Sequence, residues 1–357
     1  MRANGYGSYR GRNRGRTALK VLIVILLIVL ILVLVGGFLL EPYLVYTADG
    51  VRVELPFGQK DEGTADAAPS STLPVIVVTP SPTPEPQTFR AVTLPLTALT
   101  DGTAAAQAEA AGADAVIFDM KADDGTLAYV SNLEEAMTAG ASASDPGLND
   151  AIRTLTAGDL HVVARVSCFR DNTVPYYDNT TALRTAIGNW RDAENTRWLS
   201  PARASARSYV AGVCRELAGL GFDEILLDHP AFPTEADGTL SNLTVGEAYP
   251  ADSLAEQVDL FYSEVRSALA DYPATMLSIV STPEVLSGSD SQSGQTAAQL
   301  TEYADRIWVQ ADEAQAAAGS VALTAAGMEN AEDRMVLLTD ALPADNTGCW
   351  AVLDMER

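Results

Sequence analysis

The chain has little of what metal centres, disulfide frameworks and nucleic-acid surfaces are built from. Only three of its 357 residues are cysteine, Cys168, Cys214 and Cys349. An odd count at wide spacing fits neither a disulfide framework nor a thiolate metal site. Cys168 and Cys214 therefore read as small buried hydrophobes. Histidine is scarcer, with His161 and His229 alone, so a histidine-based metal site has almost no material and no metal is expected. Basic residues are few and unevenly placed. Lys and Arg number 23 against 47 Asp and Glu, for a formal net charge of −24. The first twenty residues hold Arg2, Arg10, Arg12, Arg14, Arg16 and Lys20 and no acid, so the rest of the chain carries −30. An acidic body of this kind repels phosphate backbones, which argues against DNA or RNA partners. A G-x-G-x-x-G loop after the first strand is also missing, which weakens a nucleotide-binding reading, and no cofactor is expected.

Charge is absent altogether from Val21 to Leu40, a run of apolar residues and glycine. Twenty helical residues span about 30 Å, the hydrocarbon thickness of a bilayer, so a transmembrane helix is expected here. The run is long for a signal-peptide core and no clean cleavage site follows it. Basic residues precede it, so the positive-inside rule leaves residues 1–20 as a cytoplasmic tail and sends the bulk of the chain outside. A cleaved signal peptide is the alternative, and it too exports residues 41–357. Residues 41–63 form a membrane-proximal segment whose 51–55 stretch alternates like a short strand. Residues 64–87 hold Pro69, Pro74, Pro80, Pro82, Pro84 and Pro86 and read as a stiff spacer.

From 88 to 357 the pattern becomes strands alternating with helices. Apolar runs at 91–94, 114–121, 160–166, 224–228, 275–281, 306–310, 335–340 and 349–353 read as eight buried strands. Helical stretches at 103–111, 201–220 and 253–270 lie between them. Such alternation indicates parallel βαβ units, and about 270 residues is the usual size of a (β/α)8 TIM-like barrel. An open doubly wound sheet is the alternative. Only residues 341–348 separate the last two strands, too few for a crossover helix, so the barrel end is expected to be open or trimmed.

Chemistry in such a barrel belongs at the C-terminal ends of the strands. Residues 221–233, GFDEILLDHPAFP, place Asp228 and His229 at a strand tip just before two prolines. The other strand ends supply Asp119 and Lys121, Arg165 and Arg170, Glu284, Gln310 and Asp312, and Asp340. Several carboxylates with one or two basic groups suit glycoside hydrolysis. One carboxyl group must protonate the leaving oxygen and another must stay ionised to attack or stabilise the oxocarbenium-like centre, and a nearby arginine keeps the second one ionised. Trp190, Trp198, Tyr176 and Tyr177 follow the third strand and offer faces for sugar rings. Each residue also has a structural reading: rim ion pairs for Asp119, Lys121 and Arg165, a loop cap for Asp228, a solvated position for Glu284, Asp312 and Asp340, and packing for His229 and the tryptophans.

Four segments together resemble a bacterial family of glycosyl hydrolases of unknown specificity, named as a domain of unknown function. They are Ala115 to Tyr129, which follows A-x-V-x-D-x-K-D-x-x-G-x-L-x-Y except at Ile117 and Ala122, Ala164 to Asp171, Trp198 to Pro201, and Gly221 to Pro233. The resemblance implies a TIM barrel acting on a polysaccharide or cell-wall glycan. Taken with the strand-end positions, it makes Asp228 the expected catalytic nucleophile or charge stabiliser and Asp119 or Glu284 the expected proton donor, with Lys121, Arg165, Arg170, His229, Trp190, Trp198 and Asp340 expected to bind substrate. The chain departs from the family pattern in its second half. His229 stands where a tyrosine is usual and Ala231 where an arginine is usual. The segment after the sixth strand reads Val309-Gln310-Ala311-Asp312-Glu313 in place of the family's P-M-x-Y-P-S-H-Y. A barrel that holds glycan without cleaving it, or that serves as a structural envelope surface, is therefore the rival reading.

Overall fold

The computed structural model describes residues 44–47, 50–53, 88–343 and 348–353. The expected transmembrane run and the proline-rich spacer up to residue 87 lie outside them. Among the described residues no helix is long and apolar enough to cross a membrane. The chain divides into two units, residues 1–79 and 80–357. In the first, β1 (Leu44–Thr47) and β2 (Gly50–Val53) pair antiparallel. The strand expected at 51–55 falls partly on β2.

In the second unit eight strands run parallel: β3 (Arg90–Thr93), β4 (Ala115–Lys121), β5 (His161–Ser167), β6 (Glu224–Asp228), β7 (Met276–Ser281), β8 (Arg306–Val309), β9 (Met335–Leu338) and β10 (Trp350–Val352). Each lies within two residues of its expected position. They form a closed ring in chain order. The open-sheet alternative and the expectation of an open barrel end are both overturned at β10. Trp350 aligns with Leu337 of β9 on one side and with Arg90 of β3 on the other, so even a three-residue strand closes the ring. Among the described residues no helix separates β9 from β10.

Helices cover the outside: α1 (Leu96–Asp101), α2 (Ala104–Ala111), α3 (Glu134–Ala139), α4 (Gly147–Thr156), α5 (Val174–Tyr177), α6 (Ala204–Gly219), α7 (Leu254–Ala268), α8 (Pro283–Leu286), α9 (Ala297–Tyr303) and α10 (Glu313–Ala325). Outward-facing Val116, Phe118, Val162, Ala164, Ile225 and Leu227 are fully buried in the large core that includes residues of these helices. Each of the Val, Ile, Leu and Phe side chains contributes about 1.5–3 kcal/mol by burial.

Side chains alternate along each strand, so the inward-facing ones stack in tiers. The lowest tier is polar: buried Glu224 accepts from Ser278 and Arg306 and meets His161. The middle tier is apolar, with Ile117, Val163, Leu226, Trp308, Val336 and Ala351 packed together. The upper tier, two residues further along the strands, contains Thr93, Asp119, Arg165, Asp228, Val280 and Leu338. These six form the floor of a cavity.

Candidate active site

The cavity is about 1200 Å³ and opens at the C-terminal ends of the strands. Ligand pockets run to roughly 1,000 Å³, so there is room for an oligosaccharide. Arg165 stands at the centre of its floor. Its Nε donates to Asp228 at 2.8 Å, its Nη1 to Asp119 at 2.8 Å and its Nη2 to Asp123 at 2.7 Å, with Nη2 also 2.6 Å from Asp228 in an ion pair. Strand register makes this possible, because Asp119 on β4 aligns directly with Arg165 on β5. Asp123 bridges onward and accepts from Arg170 Nη1 at 2.6 Å. Arg170 in turn donates to Asp192 at 2.8 Å and to Glu194.

The shared arginine does not leave the carboxyl groups alike. Burial acts to raise the pKa of Asp228, but neighbouring His229 and Arg165 outweigh it and hold the carboxyl below its ordinary range. Burial likewise opposes Asp123, and Arg165, His229 and Arg170 hold it far below. At Asp119 burial wins over Arg165, and the pKa is raised. The Asp119 side chain still keeps 40% of its surface accessible, and that solvent access limits the rise. The floor thus pairs a carboxyl biased toward its proton with two biased against it, which is the division of labour that acid–base chemistry requires.

His229 adds backbone strain. Its φ is +45°, a left-handed conformation uncommon for a residue with a side chain. Its N–H donates to Asp228 Oδ1 at 2.8 Å, which fixes that carboxylate against its own backbone. The ring meets Trp198 edge-on at 5.6 Å. Its Nδ1 is buried without a hydrogen-bond partner, 3.6 Å from Asp228 and 3.8 Å from Asp123. Among the described residues these three are the one group whose ligand-type atoms cluster as a metal site would, within 4.8 Å of one another. Arg165 already donates to both carboxylates, so the cation in place is a guanidinium.

Lys121 is not in the cavity, contrary to the expectation that it binds substrate. Strand alternation would put it on the Asp119 side, but the register slips between Asp119 and Lys121. That bulge turns Lys121 outward, where it is fully buried. It forms an ion pair with the equally buried Asp171 at 2.9 Å and donates to the Ser167 carbonyl at 2.7 Å. Asp171 caps the turn that follows through the N–H groups of Thr173 and Val174. The pair locks the loop bearing Arg170 to the barrel. Gly125 belongs to the same lock. Its φ is +88°, and a Cβ there would lie 2.1 Å from Asp171 Oδ1.

Trp190 is 1% exposed and does not reach the cavity; its Nε1–H donates to the Thr239 carbonyl. Trp198 lines the cavity wall but is 2% exposed and donates to Asp192, so it supports Arg170 and offers no open face to a sugar. Tyr176 and Tyr177 are exposed on α5, and the Tyr176 ring carries the Arg197 guanidinium at 4.7 Å. Glu284, at the start of α8, is exposed and lines the cavity, as does Gln310. Asp340 is exposed and outside the cavity, and Asp312 caps α10 by accepting from Gln315 N–H at 2.8 Å. Cys168 and Cys214 are buried free thiols whose pKa values burial pushes up, to about 12 for Cys214. Both are therefore inert as nucleophiles. Asp123 and Asp192 were not nominated from the sequence. Asp123 sits inside the strongest motif, in Lys121-Ala122-Asp123-Asp124-Gly125, but nothing in its spacing marks it as the bridge between two arginines.

Several solved structures are similar to this one. A hypothetical protein from Ruminiclostridium thermocellum shares 24% identity over 54% of this chain and 96% of its own, with a TM-score of 0.43. The PgaB (BpsB) glycoside hydrolase domain from Bordetella bronchiseptica shares 15% identity over 71% and 84%, with a TM-score of 0.49. The PelA glycoside hydrolase domain from Pseudomonas aeruginosa shares 14% over 71% and 84%, with a TM-score of 0.39. No curated protein matches the chain. The family model described as "Putative glycosyl hydrolase domain" matches residues 103–309, more than half of the chain, and the chain belongs to that family, DUF4015.

Proposed function

We propose that this protein is a membrane-anchored, extracytoplasmic glycoside hydrolase acting on a cell-surface or extracellular polysaccharide. The observation that carries the reading is the split within the Arg165 cluster: Asp228 is held ionised while Asp119 is biased toward its proton. Asp228 acts as nucleophile or charge stabiliser at the anomeric carbon. Asp119 gives its proton to the departing glycosidic oxygen. Glu284, just after β7, is the second candidate for that proton. Arg165 and Arg170 fix the carboxylates, and His229 keeps Asp228 oriented. The uncharged run at 21–40, behind six basic residues, supports the anchor and the outward orientation.

A barrel that holds glycan without cleaving it draws on one observation, that a single guanidinium already engages both Asp119 and Asp228. Turnover by the full chain separates the two readings. Reducing ends are measured after incubation with a panel of cell-wall and exopolysaccharide oligomers. Release by wild type that is lost in Asp228→Asn supports hydrolysis. Binding with no release from any oligomer supports the holding barrel.

A further inference from the structure

Beyond the Arg165 cluster, the cavity's charge is one-sided. Eight carboxylates line it against two guanidinium groups, Arg165 and Arg170, and no lysine. Both guanidiniums are consumed by Asp119, Asp123, Asp192, Glu194 and Asp228. Four lining carboxylates, Asp124, Asp237, Glu284 and Asp290, have no cationic partner among the described residues.

Three of those four share a wall. The loops after β6 and β7 are stitched together, with Phe232 N–H donating to the Ser293 carbonyl at 3.0 Å and Glu235 N–H to Gln292 Oε1 at 3.0 Å. Asp237 is fixed by the Thr234 N–H at 2.7 Å, and Asp290 by the Ser293 hydroxyl at 2.8 Å. Those donors are neutral. They orient the carboxylates and leave their charge uncompensated. A cleft lined by one sign of charge focuses its field and concentrates counter-ions of the opposite sign. A uronate, sulfated or phosphorylated glycan would meet repulsion from this wall and from the −30 body behind it. A fully N-acetylated glycan would leave the wall without a counter-charge. An unmodified amino sugar supplies an ammonium group at each ring, the counter-charge that the wall lacks.

We infer that the substrate is a cationic glycan, a hexosamine polymer whose amino groups are at least partly free. The inference rests on the glycoside hydrolase reading and adds the charge of its substrate. The test is calorimetric titration of the full chain, in detergent, with glucosamine oligomers, their N-acetylated counterparts and oligogalacturonate. Each is titrated at low and high salt, with wild type and with the double variant Asp237→Asn, Asp290→Asn. The amino form is expected to bind roughly tenfold tighter than the acetylated form at low salt, with the gap closing as salt screens it. The double variant is expected to lose that preference and keep its affinity for the acetylated form. Binding or cleavage of the acetylated oligomer with equal or weaker binding of the amino form overturns the substrate charge and leaves the glycan reading standing, as does a preference that survives the double variant. No binding to any oligomer overturns both.

Discussion

The two ends of the barrel carry charged networks built from the same strands, and they are closed differently. At the N-terminal end Glu224 of β6 is wholly buried and shared among Arg306, Ser278 and His161. At the C-terminal end Asp228, four residues further along the same strand, shares Arg165 with Asp119 and Asp123 below an open cavity of about 1200 Å³. Glu224 is wholly buried against its partners and does not line that cavity. Asp228 faces a space, and the acid beside it is biased the other way. A charge inside a barrel becomes a candidate for chemistry when its network leaves room for a substrate; a network with no such room holds the fold.

Substitutions that separate the ends sharpen this contrast. The largest effect is expected at Asp228: Asp228→Asn should lower kcat about 10³-fold in protein that thermal unfolding shows to be folded, as assayed by reducing-end release. At the closed sites the expected effect is on stability. Lys121→Met leaves Asp171 buried and unpaired and should cost about 3–5 kcal/mol in a denaturant titration. Glu224→Gln should cost about 3 kcal/mol, because Arg306 and His161 retain some solvent. The folded fraction of Glu224→Gln should keep wild-type kcat. Asp119→Asn is expected to lower kcat by about 10²-fold and to remove the alkaline limb of the pH profile.

The smallest expected effect is the pH dependence itself. Activity needs Asp228 ionised and Asp119 protonated. It should rise with pH below the ordinary carboxylate range and fall as Asp119 titrates above it. Stability follows the same groups with opposite signs. The lowered pKa values of Asp123 and Asp228 contribute stability that is full above the ordinary carboxylate range and lost as pH falls through the lowered values. The raised pKa of Asp119 contributes stability that is present below the ordinary range and lost as pH rises. Unfolding midpoints across pH, for wild type and Asp119→Asn, measure the second contribution separately.

The eight strands were legible because parallel barrel strands are buried on both faces and read as continuous apolar runs. The longer helices α6 and α7 were equally legible. The alanine-rich α2 was expected too, at 103–111, whereas α1, α4, α9 and α10 were not. Asp119, Arg165 and Asp228 could be named together because each stands near the C-terminal end of a strand, where a barrel keeps its chemistry. Lys121 could not be placed, because one extra residue in a bulge reverses the facing of everything after it and leaves no mark in the residues themselves. Asp123 and Asp192 act through loop geometry that alternation does not reach. Closure at β10 depended on register with two neighbours, which three residues cannot announce.

Turnover and melting temperature measured side by side for Asp228→Asn and Glu224→Gln test the central claim most directly. Asp228→Asn is expected to lose turnover in its folded fraction while melting somewhat lower, because Arg165 loses one of its ion pairs. Glu224→Gln is expected to keep turnover and melt about 6–12 °C lower, at roughly 2–4 °C per kcal/mol for a domain of this size. Wild-type turnover retained by Asp228→Asn, or lost equally in both folded variants, would contradict that claim.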